Sequence, residues 1–136
     1  MTEEKFKPVK TCVLAIIEKE NKILLTKRSI EPFLGKWCFP GGHIEFGEEA
    51  VNAIKREVKE EIGVDLQNPK FLFYHEEYMP EVDKHTVILV FHEKIKENPS
   101  PLDEVSEIKW FSKEEIKNTA LAFRHNKIVN KYLDLK

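Results

Sequence analysis

Residues 42–64, GHIEFGEEAVNAIKREVKEEIGV, carry the pattern of an amphipathic helix over Glu48–Ile62, with Gly63 where a left-handed C-terminal cap belongs. A helix turns by about 100° per residue. Val51, Ile54, Val58 and Ile62 therefore form a face that packs on a sheet. Glu57, Glu60 and Glu61, spaced i, i+3 and i+4, project together from the adjacent face. Ala50 and Ala53 lie on the acidic side, and their small side chains leave space beside the carboxylates. Three carboxylates on one face repel one another by roughly a few tenths of a kcal/mol per pair. A divalent cation such as Mg2+ or Mn2+ turns that repulsion into a site, because these ions take carboxylate, carbonyl and water oxygens. Taken alone, Arg-Glu-Val-Lys-Glu-Glu is in most proteins a solvated charged face. Its surroundings argue otherwise.

Upstream of the helix, Thr11–Ile17 reads as a buried strand, and Lys22–Thr26 returns as its hairpin partner after the polar turn 18–21. Arg28–Lys36, with Pro32 and Gly35, reads as a loop. Trp37–Phe39 follows as a short strand stopped by Pro40-Gly41-Gly42. Downstream, Phe71–Tyr78 and Thr86–Glu93 read as strands joined by a polar segment, and Lys96–Ser106 as a loop. Glu107–Phe111 makes another strand, a capping box at Ser112–Glu115 opens a short helix, and a last helix covers Phe123–Leu133. Strands and helices mix without regular alternation, which points to an α/β (α+β) domain with helices on both faces of a mixed sheet.

The chain has 136 residues, 41% hydrophobic and 34% charged, enough for one domain with a core. Its 22 basic and 24 acidic residues leave a formal net charge of −2, which provides no general field for DNA, RNA or an anionic membrane. The longest apolar run, Cys12–Ile17, falls far short of the ~20 residues that span a bilayer. Cys12 and Cys38 read as inert thiols, and Met1–Lys10 does not resemble a signal peptide, so a cytoplasmic protein is expected.

Gly42, five residues, Glu48, seven residues, Arg56-Glu57-Val58, one residue, Glu60-Glu61, one residue and Gly63-Val64 together resemble the Nudix box at every defining position. The resemblance implies a single MutT-like Nudix domain over residues 1–136, an α/β/α sandwich with a mixed sheet. It further implies a pyrophosphohydrolase that cleaves a nucleoside diphosphate linked to another moiety, using Mg2+ or Mn2+. Glu57, Glu60, Glu61 and the carbonyl of Gly41 match the family's metal ligands. Arg56 matches the arginine that orients the following glutamate, often helped by the glutamate matching Glu48. The general base is drawn from different places in the family, so Glu60, Glu57 and the loop acid Glu104 remain candidates, with Asp103 competing with Glu104. Glu104 is also a candidate ligand.

Substrate signals are thinner. Pro80, sixteen residues after the box, resembles the ADP-ribose pyrophosphatase subgroup, although a proline there is also ordinary turn chemistry. Residues 24–29 and 39–42 resemble the coenzyme A subgroup, whose second arginine would align with Phe33. Ala122-Phe-Arg-His125 resembles nucleotide-sugar-type members. Arg28 could reach a phosphate or form a surface ion pair. Phe33, Tyr78, Trp37 and Tyr74 could stack on a base or serve the sheet. The expected partner is a small-molecule nucleotide, with DNA and a membrane excluded and RNA disfavoured; a homodimer is left open. A non-catalytic nucleotide-binding module is disfavoured by the intact box and by the lack of an attached DNA-binding segment.

Overall fold

The computed structural model describes residues 7–135. Strands β1 (Lys10–Lys19) and β2 (Lys22–Arg28) form the expected hairpin. Glu20 and Asn21 both have positive φ, 50° and 66°, as the two central residues of a tight hairpin turn require. β3 (Trp37–Cys38) and β4 (Gly41–His43) follow, then α1 (Ala50–Ile62), β5 (Lys70–Met79), β6 (Lys84–Lys94), β7 (Val105–Ser112), α2 (Lys113–Lys117) and α3 (His125–Leu133). A single 3-10 turn, Pro80–Val82, joins β5 to β6.

The sheet runs β3-β2-β1-β6-β5, with β7 on the other edge of β2. β1 and β6 are parallel and the remaining pairs antiparallel, so the sheet is mixed. β1 is buried without interruption from Val13 to Ile17 because both its faces are covered. Val13, Ala15 and Ile17 join Leu24 beneath α1, whereas Leu14 and Ile16 join Ile23, Leu25 and α3 on the other side. This is the α/β/α sandwich expected from the sequence.

β1 and β2 pair only near their turn, at Glu18–Ile23 and Lys19–Lys22. Beyond it they part, and β4 takes the vacated edge of β1, pairing Cys12–His43 through Leu14–Gly41. Residues 41–43 therefore do not simply end a strand, as expected from their glycines. The Pro40 carbonyl accepts the Ala15 N–H at 2.9 Å and keeps the chain on β1. Only glycine fits at 41: φ is 155°, and a Cβ would overlap the Val13 carbonyl oxygen.

Gly63 caps α1 as expected, with φ 71° and its N–H on the Lys59 carbonyl at 3.0 Å. The apolar stripe differs by one residue. Ala53 is fully buried and Val51 is 36% exposed. Ala53 lies one turn before Glu57 and joins the core cluster beneath α1, while Val51 points the same way as Val58 and Ile62 but stands in the first turn of the helix.

Gly41→Ala should destabilise the fold by about 2–3 kcal/mol, a typical cost of forcing atoms into a packed site. Urea denaturation measures this, and an unchanged midpoint would contradict the packing described.

Candidate active site

The three box glutamates reach different depths. Glu61 follows Ile54 by seven residues and so returns to within about 20° of it, toward the sheet. Burial pushes its carboxyl up to about 8, against the Gly41 N–H donated to its Oε1 at 3.1 Å, and the charges of Glu57 and Asp103 add to the rise. Glu57 is also held above the ordinary carboxylate range by burial, despite Arg56. A Cβ at Gly42 would fall on the Glu57 carboxylate, so this acid rests against backbone bare of any side chain.

Arg56 is the hub. Its Nε and Nη2 donate to the two oxygens of Glu48 at 2.7 and 3.0 Å, a bidentate fork. Nη1 donates to Glu57 at 3.0 Å and Glu60 at 3.3 Å, and Nη2 also reaches the His43 carbonyl at 3.1 Å. The guanidinium bonds, together with the Glu45 N–H, bring Glu48 down to about 2.

The glutamates thus share a face but fan out: Glu61 toward Gly41, Glu57 toward Arg56 and Gly42, Glu60 toward Arg56 and solvent. Among the described residues, no three acidic, histidine or cysteine side chains are gathered closely enough to hold an ion as they stand. The common face expected from their spacing is present, with Glu57 and Glu60 bridged by Arg56 Nη1 and Glu61 bonded to the Gly41 N–H. The donor set still suits a hard divalent cation. Partly buried carboxylates that repel one another beside bare glycine backbone are what such an ion would stabilise.

Where β1 and β2 part, a cleft of about 190 Å³ opens beside Glu61. Glu61, Gly41, Gly42 and Glu104 line one part of it, and Arg28, Phe123, His125 and Glu77 line another. Glu104 is held at the rim by its carbonyl, which accepts bonds from the N–H and hydroxyl of Ser29. Arg28 donates to the Pro32 carbonyl at 2.7 Å and lies 4.9 Å from the Phe123 ring centroid.

The other aromatic candidates do not line the cleft. Phe33 supports Phe123 from behind, with ring centroids 4.8 Å apart. Trp37 packs edge-on against Phe111, Tyr74 lies under Lys131, and Tyr78 stands exposed beside His85. Sequence reading missed Phe123 as the cleft aromatic, and Glu77 altogether. Strand parity could have found Glu77, which shares a sheet face with Phe73 and Met79, where an apolar residue is expected. Cys12 and Cys38 are free, and burial pushes both thiols up, Cys12 to about 11.

The NUDIX domain family model matches residues 7–132. The chain belongs to the Nudix hydrolase family. The ADP-ribose pyrophosphatase of Methanocaldococcus jannaschii is 35% identical to it over 122 residues, covering 89% of this chain and 71% of that protein. The MutT NUDIX hydrolase of Burkholderia pseudomallei shares the fold, with a TM-score of 0.83 and 23% identity over 92% of this chain and 98% of that one. A bifunctional NMN adenylyltransferase/ADP ribose pyrophosphatase from Francisella tularensis, complexed with AMP and Mn ion, is similar at a TM-score of 0.79 and 26% identity. That match covers 95% of this chain and 42% of the other.

Within this Nudix domain, burial brings His125 down to about 4 from its ordinary 6.5. The folded value is the lower one, so its stabilising contribution is full above pH 6.5 and is lost as pH falls toward 4. Replacing His125 by Gln, which can still accept the Phe39 N–H, should flatten the pH dependence of stability across that window by on the order of 3 kcal/mol. Denaturation curves from pH 7 to 4 measure the difference, and parallel slopes in both proteins would exclude a neutral buried imidazole.

Proposed function

We propose that this Nudix hydrolase is a Mg2+- or Mn2+-dependent pyrophosphohydrolase that cleaves the diphosphate of a nucleoside diphosphate linked to a second moiety, with ADP-ribose as its representative substrate. The observation that carries this reading is one cleft bordered by Glu61 and the side-chain-free backbone of Gly41 and Gly42, against which Glu57 rests, and also by the Phe123 ring. Such a cleft offers an oxygen-donor end for a diphosphate and an apolar surface for a nucleoside. The M. jannaschii relative and Pro80 support ADP-ribose within that class.

Glu57, Glu60, Glu61 and the Gly41 carbonyl would hold the cation, with Glu104 as a further ligand from the rim. A divalent cation held by these residues would supply Lewis-acid chemistry, polarising the phosphoryl group and lowering the pKa of water. Arg56 and Glu48 position Glu57 through the bonds described above, and Arg28 faces the cleft as a counter-charge for phosphate. Phe33 supports the wall on which a base would stack, while Tyr78 stands outside the cleft. The proton of the attacking water is taken by Glu60, Glu57 or Glu104. Overall, water adds at phosphorus, the anhydride P–O bond breaks, and two phosphate monoesters leave. Most of the barrier reduction comes from positioning and charge neutralisation. The free cysteines and near-neutral charge support a cytoplasmic setting.

Incubating the protein with ADP-ribose and Mg2+ should release AMP, and chelation should stop the release. Glu57→Gln and Glu60→Gln should each lower turnover by about 100-fold or more while keeping the circular dichroism spectrum, in line with the loss of a transition-state charge stabiliser. Full turnover in both variants would refute the assignment of these ligands. Nucleotide binding with no hydrolysis of ADP-ribose, nucleoside triphosphates or nucleotide sugars would instead mark a non-catalytic module.

A further inference from the structure

Strand β5 directs Phe73, His75, Glu77 and Met79 to the α3 side of the sheet. Glu77 is the exception in that series: a carboxylate in an apolar position, 6% exposed. Its Oε2 accepts the Arg124 N–H at 3.2 Å and lies 3.4 Å from Nε2 of His75, which has no other partner. Its Oε1 has no hydrogen-bond partner among the described residues, and Glu77 lines the cleft with Thr86 opposite it on β6. That oxygen is not sealed from the surface, so a donor entering the cleft can reach it.

His125 stands at the same end of the cleft. Its Nδ1 accepts the Phe39 N–H at 3.2 Å, so in the neutral ring Nε2 carries the proton and can only donate. Phe123 completes the surroundings. Its backbone is in the left-handed region at φ 53°, and its ring is fixed by Phe33 on one side and the Arg28 guanidinium on another. The inner cleft therefore presents an aromatic ring packed by Phe33, Arg28 and His125, a carboxyl acceptor and an imidazole donor.

Resting on the reading of this site as one for nucleoside diphosphates, we propose that Glu77 and His125 read the Watson–Crick edge of the nucleobase and select one that carries there an exocyclic amino group next to an unprotonated ring nitrogen, adenine among the purines. The amino N–H donates to Glu77 Oε1, and the ring nitrogen accepts from His125 Nε2–H. Hypoxanthine inverts both contacts in the same pose: its carbonyl oxygen meets the carboxylate and its ring N–H meets the imidazole N–H. A buried site built for hydrogen bonds rejects such a mismatch more strongly than an apolar one does. The bond from Arg124 gives Glu77 a second role in anchoring the start of α3, and the two roles are separable by experiment.

Calorimetric titration of the whole protein with AMP and with IMP, in Mg2+, tests the proposal without requiring turnover. Wild type should bind AMP roughly tenfold or more tightly than IMP, the scale expected when buried polar groups are left unpaired. Glu77→Gln keeps an acceptor for Arg124 and adds an amide donor for the hypoxanthine carbonyl. Its preference should shrink to within about threefold, mainly through tighter IMP binding. Equal affinities in wild type, or no binding of either nucleotide, would overturn the inference. So would an unchanged preference in Glu77→Gln, or parallel weakening of both ligands with a lowered melting temperature, which is the signature of anchoring alone. AMP preference in a protein that hydrolyses no diphosphate would overturn the proposed reaction and leave this inference standing.

Discussion

The seating of two α1 carboxylates against the side-chain-free backbone of Gly41 and Gly42 is the contact on which the site depends. Glu61 takes the Gly41 N–H, and Glu57 occupies the volume a side chain at 42 would fill. Both acids are held above the ordinary carboxylate range by burial, so neither is at ease as an anion in the protein alone. That unease is electrostatic, and an arriving positive charge relieves it. Arg56 relieves it for Glu57 only in part, because its fork is committed mainly to Glu48.

The sheet makes this contact available by coming apart. A hairpin paired along its whole length would bury the edge of β1. Here β1 and β2 pair at two positions and then diverge, β4 fills one side of the gap, and the cleft occupies the rest. The core that tolerates this opening is covered on both faces, by α1 on one side and α3 on the other. Packing on both sides of β1 fixes the height of α1, and hence how far each glutamate reaches toward the glycines.

Local pattern carried much of this into the sequence. The Gly63 cap, the capping box at Ser112 and the unbroken apolar run of β1 follow from rules that act within a few residues. The i, i+3, i+4 spacing showed that Glu57, Glu60 and Glu61 share a side. It did not by itself rank their depths; the seven-residue step from Ile54, which returns Glu61 to the packed face, does so. Nor could it show that a single Arg56 nitrogen would bridge Glu57 and Glu60. The inner cleft was hidden for a different reason. Glu77, Phe123 and Arg28 are distant along the chain and meet only because β5, the end of β2 and the segment leading into α3 close on one another. Tyr78 was a candidate for stacking, but strand parity turns it to the opposite face from Glu77.

Anomalous diffraction from a crystal soaked in Mn2+ bears most directly on the cation reading of the glycine-backed carboxylates. The expected result is a peak within about 2.0–2.6 Å of oxygens from Glu57 or Glu61 and of the Gly41 carbonyl, the range for hard-cation coordination. A peak only at surface acids elsewhere, or none at a concentration that supports turnover, would contradict the account.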